Sequence, residues 1–396
     1  MANKEKEGID FWIICLSFIL LMIHTLTFLQ NYYSFVITCS LYTIIIIFFL
    51  LKRSCTINTK AFLSLACVLL AIVLMMIVSL VKEYSISTLW GKYFPYIIWG
   101  SLYFLIEPLF DEKSRKYFIG LFLIIMAIGV VSTLIVVIVD NNAARLLAGS
   151  ATVEERENYY KQGVGGYGFI YGCVFLFYAM LIWAKDIHGI GKLFTILLSI
   201  TTFIMLLFAS YTIAFLFSLI IILLFLYATS KRRLSIALFF TVFALIFLLR
   251  VPILEGLQNI ATQLELYWIE NRIGQLIDSS VTGNITELRR YELYSASWVS
   301  FISNPLIGGD SIGGHSMLFD ILGEFGVFGL FFFICNFILL LRISTQLPSR
   351  KNIIYILFFI FMCIDTIDTI VLLPIVYFVL PIILKTKKNE NYIVKY

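Results

Sequence analysis

Charged residues are scarce in this chain. Asp, Glu, Lys and Arg make up 13% of its 396 residues, where a soluble domain carries roughly 25%. Histidine occurs three times and proline seven times. The seven cysteines (Cys15, Cys39, Cys55, Cys67, Cys173, Cys335 and Cys363) lie scattered, most of them inside apolar runs. A disulfide framework or a cysteine metal site needs clustering at ligand spacing, so the thiols read as small hydrophobes. No Asp-x-Asp pair or His/Cys cluster offers a divalent-ion site, and no cofactor is expected. A net charge of +5 is too small to imply a nucleic-acid partner. These shortages exclude an ordinary soluble enzyme, a disordered chain and a secreted disulfide scaffold.

Apolar residues fill the space that charge leaves. They make up 61% of the chain, and the mean hydropathy is +0.97. No single soluble core absorbs that much apolar surface. A spanning helix needs about 20 apolar residues. Runs of about that length lie near 11–29, 32–51, 61–81, 93–110, 117–139, 166–184, 192–208, 211–229, 233–250, 314–341, 351–367 and 370–385. The sequence therefore predicts an all-α polytopic integral membrane protein, one membrane domain over 1–396, with about twelve transmembrane helices. Two divisions rest on polar interruptions. Ser210-Tyr211-Thr212 splits 193–229 into a hairpin, and Asp365 with Asp368 splits 353–384 at a surface turn, because two buried carboxylates would cost more.

Basic residues set the orientation. With the N-terminus inside, the cytoplasmic segments hold 20 of the 29 Lys and Arg, Lys231-Arg232-Arg233 among them. The C-terminus is then also cytoplasmic. The first run lacks a small-residue cleavage site and is followed at once by another, so no cleavable signal peptide is expected.

Two extracytoplasmic segments stand out. One, 140–165, is rich in charge and runs into Gly163-Val164-Gly165-Gly166-Tyr167-Gly168. The other, 251–313, is long enough to suggest function, and it precedes the tenth span. Ile253, Leu257, Ile260, Leu264, Tyr267 and Trp268 recur in it at helical spacing, as do Tyr291, Tyr294, Trp298, Phe301 and Ile302. Amphipathic helices lying on the outer membrane face are the expectation.

Polar residues that could carry chemistry gather on that face. His24 lies within the first span and His188 in a short turn, where packing and solvation explain them. His315 follows Gly308-Gly309-Asp310-Ser311-Ile312-Gly313-Gly314 and begins a helix. Glycines at a helix start let N–H groups converge on an anion, and the helix dipole favours a neutral imidazole that can act as a base. An incidental interfacial histidine beside a glycine hinge explains the same residues. Arg289 and Arg290 lie in the same loop, and Arg145, Arg156, Lys161 and Arg272 add positive charge on this side. Arginine suits a bidentate grip on phosphate, although pairing with Glu287 or Glu292 is as good an account of any single one. Asp320 and Glu324, one turn apart, could orient His315 or bridge to Arg289 or Arg290.

These residues carry a resemblance. Arg290-Tyr-Glu-Leu-Tyr294, Trp298, Asn304-Pro305-Leu306-Ile307-Gly308-Gly309, His315-Ser316 and, nine residues later, Gly326-Val-Phe-Gly329 resemble the signature of the bacterial O-antigen ligase and Wzy-type polysaccharide polymerase superfamily. The match covers about 40 residues directly. The resemblance implies glycan transfer from undecaprenyl diphosphate to an acceptor hydroxyl on the extracytoplasmic face of a bacterial cytoplasmic membrane. It implies His315 as general base, Arg290 or Arg289 on the diphosphate, Arg156 as the arginine from the earlier outer loop with Arg145 behind it, and Glu324 as the acidic residue before the glycine pair. Asp320 and Ser316 would support them. The implied partners are lipid-linked donor and acceptor, the bilayer and chain-length regulator proteins. Ser210-Tyr211 departs from the Ser-Arg of many members, so the phosphate grip there must come from elsewhere or be weaker. A repeat-unit polymerase is the first expectation and a ligase the second. A flippase fits less well, since it would want charges lining several spans.

Overall fold

The computed structural model describes residues 2–32, 34–51, 59–140, 142–147, 152–209, 211–229, 241, 250–263, 270, 273–274, 277, 290–309, 312–348 and 350–385. Among them every regular element is a helix. In chain order these are α1 (Ala2–Thr25), α2 (Phe35–Leu51), α3 (Thr59–Val81), α4 (Ile86–Ile106), α5 (Glu112–Val139), the single turn α6 (Ala143–Leu146), α7 (Val153–Lys161), α8 (Tyr167–Asp186), α9 (Gly189–Phe208) and α10 (Thr212–Thr229). They continue with α11 (Arg250–Gln263), α12 (Arg290–Ser303), α13 (Met317–Ser344) and α14 (Ile353–Ile364). A π-helical stretch (Pro374–Val379) then runs into α15 (Leu380–Leu384).

This is a helical membrane protein. Six helices among the described residues are long and apolar enough to cross a bilayer: Gly8–Thr25, Thr59–Val81, Glu112–Val139, Tyr167–Asp186, Gly189–Phe208 and Met317–Ser344. Four shorter apolar helices accompany them, Phe35–Leu51, Ile213–Thr229, Ile353–Ile364 and Pro374–Leu384. Ten of the twelve expected runs thus fall on apolar helices of unequal length, six of them long enough to span. The run at 93–110 is the later part of α4, and the run at 233–250 lies almost wholly outside the described residues.

The outer surface of α5 shows what solvent the bundle expects. Leu121, Ile124, Ile128, Val131, Ile135 and Ile138 recur every three or four residues and are all exposed. Phe118, Phe122, Met126, Val130, Thr133 and Val137 face the core. An exposed apolar stripe of that length suits hydrocarbon rather than water. Several hydroxyls within the spans are satisfied locally, as where Ser17, Thr25, Ser199 and Thr202 donate to carbonyls one turn back. α8 is buried along most of its length, at the centre of the bundle.

Both interruptions divide helices, with Ser210 outside the described residues, but Asp365 is buried rather than at the surface, its carboxylate held by Tyr171 and Thr366 N. α9 and α10 are separate helices, and α14 ends at Asp365 before a turn that holds Asp368. Asp368 accepts from Ile370 N at 3.0 Å and Val371 N at 2.7 Å, so it caps the next helical turn. His24 is fully buried and joins helices, its Nδ1 2.6 Å from Ile370 O and its Nε2 3.0 Å from Thr38 Oγ1.

The bundle has two unlike ends. At one, Glu107 pairs with both Arg115 and Lys385, and Lys351 meets Asp186 at 3.2 Å. The other lies about 30 Å away by the length of α4. It holds Lys82, Lys92, the start of α8, the Asp365 turn and His315.

Candidate functional site at the His315 end

α12 lies against the first turns of α13. The Tyr294 ring stacks on Phe319 at 5.4 Å, and Trp298 meets the same ring edge-on. Tyr294 also donates its hydroxyl to Ile364 O at 2.5 Å, which ties α12 to the end of α14.

α13 is not one continuous helix. Gly326 takes φ +59° and ψ −136°, which splits it into residues 317–325 and 327–344. A Cβ on Gly329 would lie 2.2 Å from Ile321 O. Eight residues along an unbroken helix are about 12 Å apart, so the chain folds back sharply here. His315 therefore precedes a short helix that carries Asp320 and Glu324, and the long span begins after Gly326. That corrects the expectation of a single transmembrane helix starting at His315.

The Asn304–Gly309 segment fills this break. Val327 N donates to Pro305 O at 2.9 Å, Gly309 N to Gly323 O at 2.9 Å, and Gly308 N to Asn304 O at 2.7 Å. A Cβ on Gly308 would lie 2.5 Å from Gly323 O, and one on Gly326 2.4 Å from Pro305 O. Both glycines have positive φ. The Pro-Leu-x-Gly and Gly-x-x-Gly parts of the motif are thus one packed unit, and those glycines serve close backbone approach.

The N–H groups before the short helix are already engaged. Asp320, 5% exposed, accepts from Gly314 N and Ser316 N, each at 3.0 Å, and from Ser297 Oγ at 2.8 Å. Ser297 Oγ in turn accepts from Gly313 N at 2.8 Å. Ser316 is buried; it caps the helix by accepting from Phe319 N and donates to Cys363 O at 2.7 Å. The expectation that these amides form a cradle for a substrate anion is corrected, because the carboxylate of Asp320 occupies that place.

His315 sits on this turn half-buried, hydrogen-bonded to none of the described residues. Neither Asp320 nor Glu324 orients it. Glu324 pairs instead with Lys92 at 3.4 Å, and Lys82 donates to Gly309 O at 2.7 Å and Glu324 O at 2.8 Å. These two lysines were missed by sequence reasoning, which looked for an arginine partner. Their one signal was position, just past the end of α3 and in the first turns of α4.

A second polar group adjoins the turn. Met317 N donates to Asp365 O at 3.1 Å. Asp365, 2% exposed, accepts from Tyr171 Oη at 3.2 Å and Thr366 N at 2.9 Å. Tyr167 Oη donates to Thr366 O at 2.8 Å, and the rings of Tyr167, Tyr171 and Tyr211 lie within about 6 Å of one another. Tyr211 donates to Ala144 O at 3.1 Å. Arg145 is exposed beside this cluster and acts electrostatically on Tyr211.

The 140–165 segment forms α6 and α7. Thr152 and Glu155 make a capping box at the start of α7. Tyr159 donates to Asp140 Oδ2 at 2.5 Å, a bond that pushes its phenol up to about 12. Arg156 is exposed, close enough to Tyr160 to act on it alongside Asp368. The structure thus brings His315, Ser316, Asp365, Arg145 and Arg156 to one end of the bundle. Arg290 is the first residue of α12. Arg289, Arg272, Asp310 and Ser311 lie outside the described residues. Among the described residues no three His, Cys, Asp or Glu side chains form a metal-binding group.

No family model, no curated protein and no solved structure matches this chain.

Proposed function

We propose that this protein is a multi-pass membrane glycosyltransferase of the O-antigen ligase and Wzy type, a polymerase of undecaprenyl-diphosphate-linked repeat units for a capsule, exopolysaccharide or O-antigen. In this reading the chain crosses a bacterial cytoplasmic membrane twelve times, with both termini inside and the His315 end outside. The observation that carries it is a half-buried imidazole on a tightly held turn, at the same end of the bundle as Arg145, Arg156 and the start of α12 at Arg290. The motif Arg290…Asn304-Pro305-Leu306…His315-Ser316…Gly326-x-x-Gly329 supports the same reading.

In the proposed reaction His315 takes the proton from the acceptor hydroxyl as its oxygen attacks the anomeric carbon. The bond from that carbon to the diphosphate oxygen breaks, and its electron pair leaves with the diphosphate. Guanidinium groups from Arg290, Arg289 and Arg156 stabilise that charge. The base contributes about 10²–10⁴-fold. Attack opposite the leaving group inverts the anomeric centre, and NMR of the product tests that.

The decisive experiment is a glycan ladder from a strain lacking the protein, complemented by wild type, His315→Ala or Arg290→Ala. Loss of polymer with single repeat units persisting, in the deletion and in both variants, is the expected result. Full-length polymer in cells carrying His315→Ala would sink the assignment of the base. Untransferred lipid-linked polymer would make the protein a ligase, and repeat units trapped inside would make it a flippase.

A further inference from the structure

We propose that Asp320 is a positioning residue, an internal anion that locks the backbone on both sides of His315 and keeps substrate phosphate away from the helix start. The proposal rests on the reading of His315 as the base. Its ground is where the carboxylate bonds go. Oδ1 accepts from Gly314 N and Ser297 Oγ, and Oδ2 accepts from Ser316 N. Gly314 and Ser316 are the two neighbours of His315 in the chain. The Gly313–Gly314 and His315–Ser316 peptide units, which bracket the histidine, are therefore anchored to one buried side chain four to six residues ahead.

Ser297 extends the clamp to α12 by accepting from Gly313 N. The closeness this creates requires glycine at 313, since a Cβ there would lie 2.1 Å from Leu293 O. Gly314 takes φ +75°, so the turn has little freedom to find another path. A carboxylate in the first turn of a helix also meets the positive end of its dipole. A diphosphate competing for the same N–H groups would have to displace a covalently tethered anion. The substrate's charge is left to side chains, Arg290 and Arg156 before others.

An empty carboxylate site can be refilled, and that gives the test. Full-length wild type and Asp320→Ala are purified in detergent and melted with sodium formate, using sodium chloride at equal ionic strength as control. Formate should raise the Tm of Asp320→Ala and leave wild type unmoved, because only the variant has the vacated donors. On a lipid-linked repeat-unit donor, Asp320→Ala should lose about 10²-fold in kcat with KM little changed. Formate should restore at least about tenfold of that. Asp320→Asn fills the volume but turns one acceptor into a donor, so it should lose kcat without formate rescue.

A kcat for Asp320→Ala within about twofold of wild type, or a loss that formate leaves untouched in rate and Tm alike, overturns the proposal. Where Asp320→Ala fails to accumulate, wild-type kcat in Asp320→Asn overturns it. If wild type itself shows no transfer, the polymerase reading falls, and the formate melting series still decides what Asp320 holds.

Discussion

Two glycine-rich segments precede helices at the His315 end, and they are held in opposite ways. Gly163–Gly168 leads into α8 and Gly308–Gly314 leads towards α13. In the first, hydroxyls from a neighbouring span do the holding: Thr133 Oγ1 accepts from Gly165 N at 2.8 Å, and Ser132 Oγ donates to Gly163 O at 2.7 Å. Its glycines make room chiefly for side chains, Phe28 against Gly163, Phe169 against Gly165 and Asp368 against Gly168. In the second, a carboxylate from the following helix does the holding, and Gly308 and Gly313, like Gly326 within α13, make room for backbone. The lesson is that a glycine run before a helix is not by itself an anion site. The group that fills the gap decides its role, and only the second run leaves a histidine half-exposed on the turn it builds.

The largest effect should come from adding a methyl group where backbone meets backbone. Gly326→Ala combines a positive φ with a Cβ 2.4 Å from Pro305 O, and neither partner is the end of a flexible side chain. The expected loss is about 2–5 kcal/mol, seen as aggregation or a collapsed melting transition in detergent. Gly163→Ala meets the Phe28 ring instead, and a ring can turn aside. It should cost about 1–2 kcal/mol, and less in a Phe28→Leu background. Equal losses at the two glycines would erase the contrast between backbone-filled and side-chain-filled gaps.

Thr133→Val tests the hydroxyl clamp with nearly constant volume. It strands the buried Gly165 N–H and should cost about 1–3 kcal/mol, read as a lower Tm. Polymer formation per folded molecule should stay at the wild-type level, since this segment holds no reacting group in the proposed mechanism. A selective loss of transfer would join the two segments into one site.

The smallest effect belongs to the cap of α7. Hydrogen bonds from Thr152 hold the Glu155 carboxyl below its ordinary range. A depressed carboxyl stabilises the fold above its unfolded value, and the benefit disappears as pH falls through the lowered value in the folded state. Amide exchange in the first turn of α7, taken relative to the intrinsic rate at each pH, should therefore speed up on acidification below the ordinary carboxylate range. In Thr152→Ala it should already be fast near neutral pH, and an unchanged acid response in that variant would remove the cap as its source.

Much of the fold was legible because the bilayer admits few solutions for apolar chain. Long runs had to become helices, Tyr211 had to fall between two of them, and Asp365 with Asp368 had to lie in a turn. His24 reads as a packing residue and is one, held between Ile370 and Thr38. The site was legible only in part. His315 stood out by its setting. The break at Gly326 carries no local mark to distinguish it from a helical glycine, because Pro305 and Leu306 impose it from another segment. The partners of Asp320 and Glu324 were misjudged for a similar reason. Their charges suggested arginine, whereas backbone amides took one and Lys92 the other.

Hydrophobicity is a property each residue brings with it, and so the membrane class, the helical content and most interruptions were determined by the sequence alone. A hydrogen bond or a close approach belongs to two segments at once. The fold-back at Gly326, the carboxylate filling the turn and the meeting of that turn with the Asp365 loop were decided by tertiary structure, where groups far apart in sequence first come within about 3 Å.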